Sequence, residues 1–210
     1  MKRIFQLTLI ACATIMMVAC NSKQTSASSD NATIETIMSR TSIRQFTDQK
    51  LTDEQIETLL KAAMAAPTAM NMQPWSFVVL TDTSAFDKIF EGNRRGEIYK
   101  KAAATVVFCG DTLATMRSRE TGEMETRPNK FWVQDVTLSV ENFLLAAKSM
   151  GLGAVYTACY PDYQLVGNVK KGLGLPDSVL PLCVVPVGYP ADNPEPKDKW
   201  KPEKIHYNKW

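Results

Sequence analysis

Two short runs hold most of the chemistry this chain could do: Arg40-Thr41-Ser42-Ile43-Arg44 and Pro67-Thr68-Ala69-Met70-Asn71-Met72-Gln73-Pro74-Trp75. The first is cationic and hydroxylic. The second is a polar turn that closes on a rigid proline and a large aromatic ring. A single well-marked helix separates them, so they sit at opposite ends of one structural unit and are expected to face one ligand. Residues of these types suit a molecule that is anionic at one end and flat and rich in heteroatoms at the other.

A flavin mononucleotide has those parts: a phosphate, a sugar-like chain, and a ring that must be held by its edge and covered on one face. Helix N-termini usually cradle phosphates, but Arg40–Arg44 follows a helix C-terminus, where the dipole has the wrong sign. Side-chain cations must then hold the phosphate, and the planar fork of arginine fits its oxygens. Ser42 adds a hydroxyl donor. Taken alone, Arg40 and Arg44 also suit a solvated surface pair, and Gln73-Pro74-Trp75 alone suits a capped turn with a core tryptophan. Only the two runs together point to a ligand.

Other chemistries find little support. The single histidine is His206, near the C-terminus, so imidazole catalysis and a His-rich metal site are not expected. Cys109, Cys159 and Cys183 each lie in an apolar run and in no Cys-x-x-Cys pair, and read as buried small hydrophobes.

The elements that must position the two runs can be read from periodicity and caps. Ile34, Ile37 and Met38 form a short helical stripe that ends near Arg40. Thr52 and Gln55 make a capping box, Asp53 and Glu54 fill the first turn, and Ile56, Leu59, Leu60 and Ala63 supply a buried face before Pro67 stops the helix. Strands are predicted at 76–81 and 104–110, both central, with a short helix at 85–90 between them. The polar stretch 112–130 reads as a surface excursion of the kind that can serve as a lid. A long helix at 134–150 buries Val136, Val140, Phe143, Leu144 and Ala147 and ends at Gly151. A strand at 153–157, a helix at 163–171 broken by Gly172 and Gly174, and a buried strand at 182–188 follow. The tail carries Trp200, Ile205, Tyr207 and Trp210, and is expected to pack on its own domain or on a second subunit. The αβαβ order alone suggests a parallel sheet.

Residues 1–19 read as an export signal, with Met1-Lys2-Arg3 ahead of an apolar stretch too short to span a bilayer. Met17-Val18-Ala19-Cys20 is similar to a bacterial lipobox, with Met17 where leucine is usual, and makes Cys20 the expected lipidation site. A plain secretory signal with a chance cysteine is the other reading. Residues 20–31 are polar and form an expected tether, whose dozen residues have an r.m.s. span of roughly 20 Å. Residues 32–210 are then one domain. Of 24 basic residues Lys2 and Arg3 leave with the signal, so 22 face 22 acidic ones, and no basic excess exists to bind nucleic acid.

The two runs resemble those of the FMN-dependent nitroreductases, which open on an Arg-x-Ser-x-Arg type run and continue with Pro-Ser-x-x-Asn-x-Gln-Pro-Trp; Thr68 stands where serine is common. Gln134-Asp135-Val136 through Asn142 to Gly151-Leu152-Gly153 resembles that family's long helix and its following turn. The likeness runs from about Ile34 to Trp210. It implies an α+β fold, a mainly antiparallel sheet flanked by helices, in a domain-exchanged homodimer with FMN at the interface. By the same resemblance Arg40 and Ser42 hold the phosphate, Thr41 between them belongs to the cofactor-binding set, and Arg44 approaches the pyrimidine edge. Thr68, Asn71 and Gln73 line the ribityl chain and ring, often from the partner subunit. Backbone groups at Thr157 and Ala158 lie near the hydride-accepting nitrogen, and Lys199 and Lys201 match a C-terminal basic site. Phe131 and Trp132 are candidates for the roof, or simply the core of the next helix. The implied activity is ping-pong transfer from a donor such as NAD(P)H to nitro compounds, quinones or similar acceptors, with the cofactor carrying the chemistry and no catalytic side chain required. A flavin-dependent dehalogenase or ene-type reductase, or a flavin-binding lipoprotein without turnover, are the alternatives.

Overall fold

A computed structural model describes residues 31–84, 86–90 and 93–210; the export signal, Cys20 and nearly all of the tether lie outside the described residues. The chain divides into two units, residues 1–37 and 38–210. Helix α1 (Ala32–Ser39) forms where its stripe predicts, with Ile34, Ile37 and Met38 exposed.

The capping box at Thr52 is present in full: the Thr52 side chain accepts from the Gln55 N–H and Gln55 returns the bond to the Thr52 N–H, starting α2 (Asp53–Met64). Its Leu59 and Ala63 are fully buried. The chain then runs through β1 (Trp75–Leu80), short helices α3 (Phe86–Ile89) and α4 (Gly96–Lys101), and β2 (Ala104–Asp111). A hairpin of β3 (Leu113–Arg117) and β4 (Met124–Pro128) precedes the long helix α5 (Trp132–Ser149). Two-residue strands β5 (Gly153–Ala154) and β6 (Thr157–Ala158), helix α6 (Tyr163–Leu173) and β7 (Val179–Gly188) complete the domain.

The main sheet has the order β1-β2-β7-β5, with β6 also paired to β7, and every strand pair is antiparallel. The parallel sheet suggested by element order does not form, because the connection through α3 and α4 returns the chain beside β1 in the opposite direction. β1 is an edge strand rather than a central one. β2 and β7 are the buried pair, as their unbroken apolar runs require.

Alternation along β2 divides the core. Phe108 faces α2 and α5, where its ring meets Phe143 edge-on at 5.3 Å. Val107 and Cys109 face the opposite layer, built by Phe86, Phe90, Tyr99, Val166 and Val169. Helix α5 buries the five residues its periodicity marked, and Asn142 Nδ2 donates to the Ala62 carbonyl at 3.1 Å, pinning it to the end of α2. Truncating Phe143 to alanine would cost about 3–5 kcal/mol.

Three expectations change. The excursion at 112–130 lies on the surface as expected but is an ordered ribbon, with Leu113 opposite Pro128 and Arg117 opposite Met124, and Gly122 left-handed in its turn. The strand expected at 153–157 is two short pieces separated by Val155 and Tyr156. In the tail, Trp200, Tyr207 and Trp210 are exposed, so packing on their own domain is not what these aromatics do.

Cys109, Cys159 and Cys183 are free and buried. Burial pushes the Cys109 and Cys159 thiols up to about 12 and holds Cys183 well above the usual thiol range. The native state therefore keeps protons that the unfolded chain releases near pH 9. Stability should be unaffected by these groups below about pH 8.5 and fall as pH rises from there toward 12. Urea titrations at pH 8 and pH 10.5 check this, and a disulfide reagent at pH 8 should label none of the three until the chain unfolds.

Candidate functional site

The Arg40–Arg44 run is held as an extended strip. Ser42 forms a parallel bridge to Ala154, and the Ile43 N–H donates to the Ala154 carbonyl at 3.1 Å. Beyond it, the Thr47 N–H reaches the Tyr189 carbonyl and the Ala191 N–H reaches the Gln45 carbonyl. Ile43 is buried and lies so close to Gly153 that a Cβ there would sit 2.6 Å from its own Cβ, so only glycine permits this approach. The buried Ile43 fixes the strip, and the side chains on either side of it are left to do chemistry. Arg40 Nε stands 3.7 Å from Glu141 Oε1, a partly exposed pair of small worth that a tighter anion could displace. Arg40 and Thr41 line a narrow crevice of about 130 Å³ with Leu144, Lys148, Gly151 and Asn193. Arg44 is exposed, its Nη1 donating to the Ser42 carbonyl at 3.4 Å.

Further along the same sheet edge, Thr157 is buried and its Oγ1 donates to the Val184 carbonyl, so any ligand contact there falls to the backbone. A buried network completes the position: Tyr99 Oη lies 2.8 Å from Thr157 Oγ1 and accepts from Asn93 Nδ2 at 3.0 Å. Burial raises the Tyr99 phenol above its ordinary value, which keeps it neutral and available to both partners. The network draws Asn93, Arg94 and Arg95 against Ala158, where they line a polar cleft of about 430 Å³ with Asp162 and Gln164. Sequence reading missed these three. They lie in a short connection with no period to mark it, and the adjacent arginines were the one available signal.

The Thr68–Trp75 loop is compact and strained. Met70, Asn71 and Gln73 all have positive φ, at 53°, 54° and 49°. Asparagine tolerates this region, but methionine and glutamine adopt it rarely, and such strain concentrates where function needs it. The loop is held at one point by a buried carboxylate: Asp135 Oδ1 accepts the Ala69 N–H at 2.9 Å, and Asp135 is 3% exposed. Thr68 Oγ1 accepts the Gln73 N–H at 3.1 Å, so this hydroxyl is committed to closing the turn rather than turned to a ligand. Gln73 and Trp75 line a cleft of about 430 Å³ with Asp111 and Thr115.

The two runs do not meet within one chain. Arg40 shares its crevice with Leu144 and Lys148 at the C-terminal end of α5, whereas Ala69 is bonded to Asp135 in that helix's first turn. Thirteen residues of helix, from 135 to 148, separate these points by about 20 Å. Lys199 and Lys201 lie exposed on the tail and join neither run. Of the roof candidates, Trp132 is core: its ring packs on Tyr160 at 5.0 Å and covers Gly110. Phe131 is half exposed and lines a cleft beside Met70 and Met72. Among the described residues no group of acidic, histidine or cysteine side chains is placed to hold a metal ion.

A model of the nitroreductase family matches residues 37–109 and 87–189. The chain is 34% identical over 186 residues to an FMN reductase (NADPH) of Bacillus subtilis (strain 168), covering 84% of this chain and 73% of that protein. Among solved structures, one from Bacteroides thetaiotaomicron VPI-5482, named for NADH dehydrogenase/NAD(P)H nitroreductase activity, matches with a TM-score of 0.76 and 36% identity over 86% of this chain and 99% of that one. The NADPH:FMN oxidoreductase of Vibrio harveyi complexed with NAD+ matches with a TM-score of 0.71 and 30% identity, over 86% and 78% of the two chains.

Removing the carboxylate in Asp135→Ala leaves the Ala69 N–H without its partner and should cost about 1–3 kcal/mol. Asp135→Asn keeps an acceptor oxygen and should lose less. Amide hydrogen exchange at Ala69, measured beside global unfolding, is expected to accelerate in the alanine variant well beyond its loss of stability. Equal protection in both variants would mean that the carboxylate does not hold the loop.

Proposed function

The chain belongs to the nitroreductase family, and from that membership we propose that residues 32–210 form an FMN-dependent reductase completed across a homodimer. Its activity is flavin-mediated oxidation of NAD(P)H, with nitro compounds, quinones or similar molecules as acceptors, in line with relatives named as an FMN reductase and an oxygen-insensitive NADPH nitroreductase. The observation that carries the dimer is the placement of the two runs against opposite ends of α5, with Ala69 bonded to Asp135 and Arg40 beside Lys148. Neither end of α5 alone offers both a phosphate clamp and a ring platform. A second copy, exchanged head for tail, would set its Asn71 and Gln73 opposite the first copy's Arg40–Arg44 strip. The exposed stripe of α1 and the aromatic tail with Lys199 and Lys201 are surfaces such a copy would cover.

The residues fit FMN. Arg40, Thr41 and Ser42 would hold the phosphate, and the crevice beside them is narrow enough for an anion and little else. Arg44, free of any acidic partner among the described residues, would stand at the pyrimidine edge, where a cation favours negative charge on the ring. Ala158 and the backbone of Thr157 would meet the ring's reactive nitrogen, with the Asn93–Arg95 segment completing that wall. When bound, FMN supplies the two-electron chemistry, so that NAD(P)H, H+ and R–NO2 give NAD(P)+, R–NO and water, with donor and acceptor using the site in turn. The chain's own part is to bind, orient and exclude water, which accounts for a site without histidine or a paired acid and base.

The same proposal includes export. Residues 1–19 act as a leader, Cys20 carries the lipid, and residues 20–31 tether the domain to the periplasmic or cell-surface side of a membrane. The support is the sequence Met17-Val18-Ala19-Cys20. Among the described residues no helix is long and apolar enough to cross a membrane.

The purified protein should be yellow with a flavin spectrum, and anaerobic NADH or NADPH should bleach it. Colourless protein that refuses added FMN would overturn the proposal, and a yellow protein that neither nucleotide bleaches would turn it into a flavin carrier. Arg40→Ala should weaken FMN binding by about 1.5–3 kcal/mol, read by fluorescence titration. Cys20→Ser should move the expressed protein from the detergent phase to the aqueous phase.

A further inference from the structure

The β3–β4 hairpin has two distinct faces. Residues directly opposite in an antiparallel pair point the same way, so Ala114 with Arg127 and Met116 with Glu125 form one face, and Leu113, Thr115 and Arg117 belong to the other. The first face looks across a cleft of about 360 Å³ at the Met70–Met72 turn, with Lys130 and Phe131 at its rim. That volume suits one substituted ring.

Its walls are apolar and adaptable. Met70, Met72 and Met116 present thioethers, which are polarisable and mould to flat partners. Met70 is held with φ 53° and ψ 24° and stays 62% exposed, an apolar side chain kept at a backbone cost and left uncovered by the described residues. Phe131 adds a half-exposed aromatic face.

The charge in the cleft is of one sign. The Arg127 guanidinium lies against the thioether of Met116, a neutral neighbour that leaves its charge unbalanced. Neither Arg127 nor Lys130 has an acidic partner among the described residues, whereas Arg40, Lys61, Lys100 and Lys170 do. Glu125, the acid on the same face, accepts from Thr121 Oγ1 at 3.0 Å near the hairpin tip. Among the described residues no acidic side chain lines the cleft.

We propose that this cleft binds flat aromatic acceptors that carry an acid group, and that Arg127 determines the preference for the acid. The term acceptor rests on the reductase reading above; the binding claim rests on the cleft alone. Asn71 lies between Met70 and Met72, so a ring seated here lies against the residue assigned to the flavin. Arg127 pairs with the carboxylate through its fork, while the methionines and Phe131 cover the ring faces.

Calorimetry of the oxidised protein with 4-nitrobenzoate and its neutral counterpart 4-nitrobenzamide tests this. The carboxylate should bind about tenfold more tightly than the amide. Arg127→Leu should remove the preference, and Arg117→Leu, on the other face and bonded to the Gly122 carbonyl, should retain it. Circular dichroism melting verifies that both variants fold, and the ratio of kcat/KM for the two acceptors should follow the binding ratio. Equal binding of the two compounds by the wild type, or an undiminished preference in Arg127→Leu, would overturn the proposal. So would an Arg127→Leu effect confined to the KM for NADPH, which would assign the guanidinium to the donor's phosphate. Failure of the reductase reading would register separately, as protein that no nucleotide bleaches, while the calorimetric preference is still read.

Discussion

The buried face of α5, from Val136 to Ala147, packs at once on β2 and on α2, and this contact sets the separation of everything chemical in the chain. Its first turn carries Asp135, which grips the strained loop ahead of Trp75; its last turns border the crevice of Arg40 and Thr41. A straight helix does not compress. In each copy the two runs therefore lie against opposite ends of one helix, 13 residues or about 20 Å of helical rise apart, an arrangement that suits the exchange of copies proposed above. Packing in the core thus fixes where each run lies on the chain, and on the proposed reading a second copy brings the complementary run to the same flavin.

Each run is held in place by buried groups behind it. Ile43, buried against Gly153, locks the cationic strip to β5. Tyr99 ties Asn93 to Thr157 through a buried pair of hydrogen bonds and so sets the wall at Ala158. Asp135 plays the corresponding part for the loop. Among these anchors, burial holds the Tyr99 phenol above its ordinary value and so keeps it uncharged. The reactive surface is left to arginines and backbone, which suits a site whose cofactor carries the electrons.

Where one force dominated locally, the sequence was readable. The capping box at Thr52, the five buried positions of α5 and the buried run of β2 follow from caps and periodicity alone. The antiparallel sheet did not; it came from likeness to a family, since alternating helices and strands suggest the opposite. The β3–β4 ribbon was hidden because most of it faces solvent, so no apolar alternation marks its strands. Asn93–Arg95 was hidden because α4 is only six residues long and its approach to Ala158 depends on a tyrosine hydroxyl. The convergence of Arg40 and Gln73 on one ligand rested on residue types and on likeness to a family whose sites are often shared between subunits, and no local pattern in the sequence encodes such sharing.

Hybrid dimers test that exchange most directly. Chains carrying Arg40→Ala and chains carrying Asn71→Ala, each with its own affinity tag, are mixed and the doubly tagged dimer is isolated. If the site is built across copies, the hybrid holds one intact site beside one doubly altered site. It should then bind one FMN per dimer with wild-type affinity, although neither parent binds any so tightly. A hybrid in which both sites remain as weak as in the parents would place Arg40 and Asn71 in the same copy's site and contradict the account.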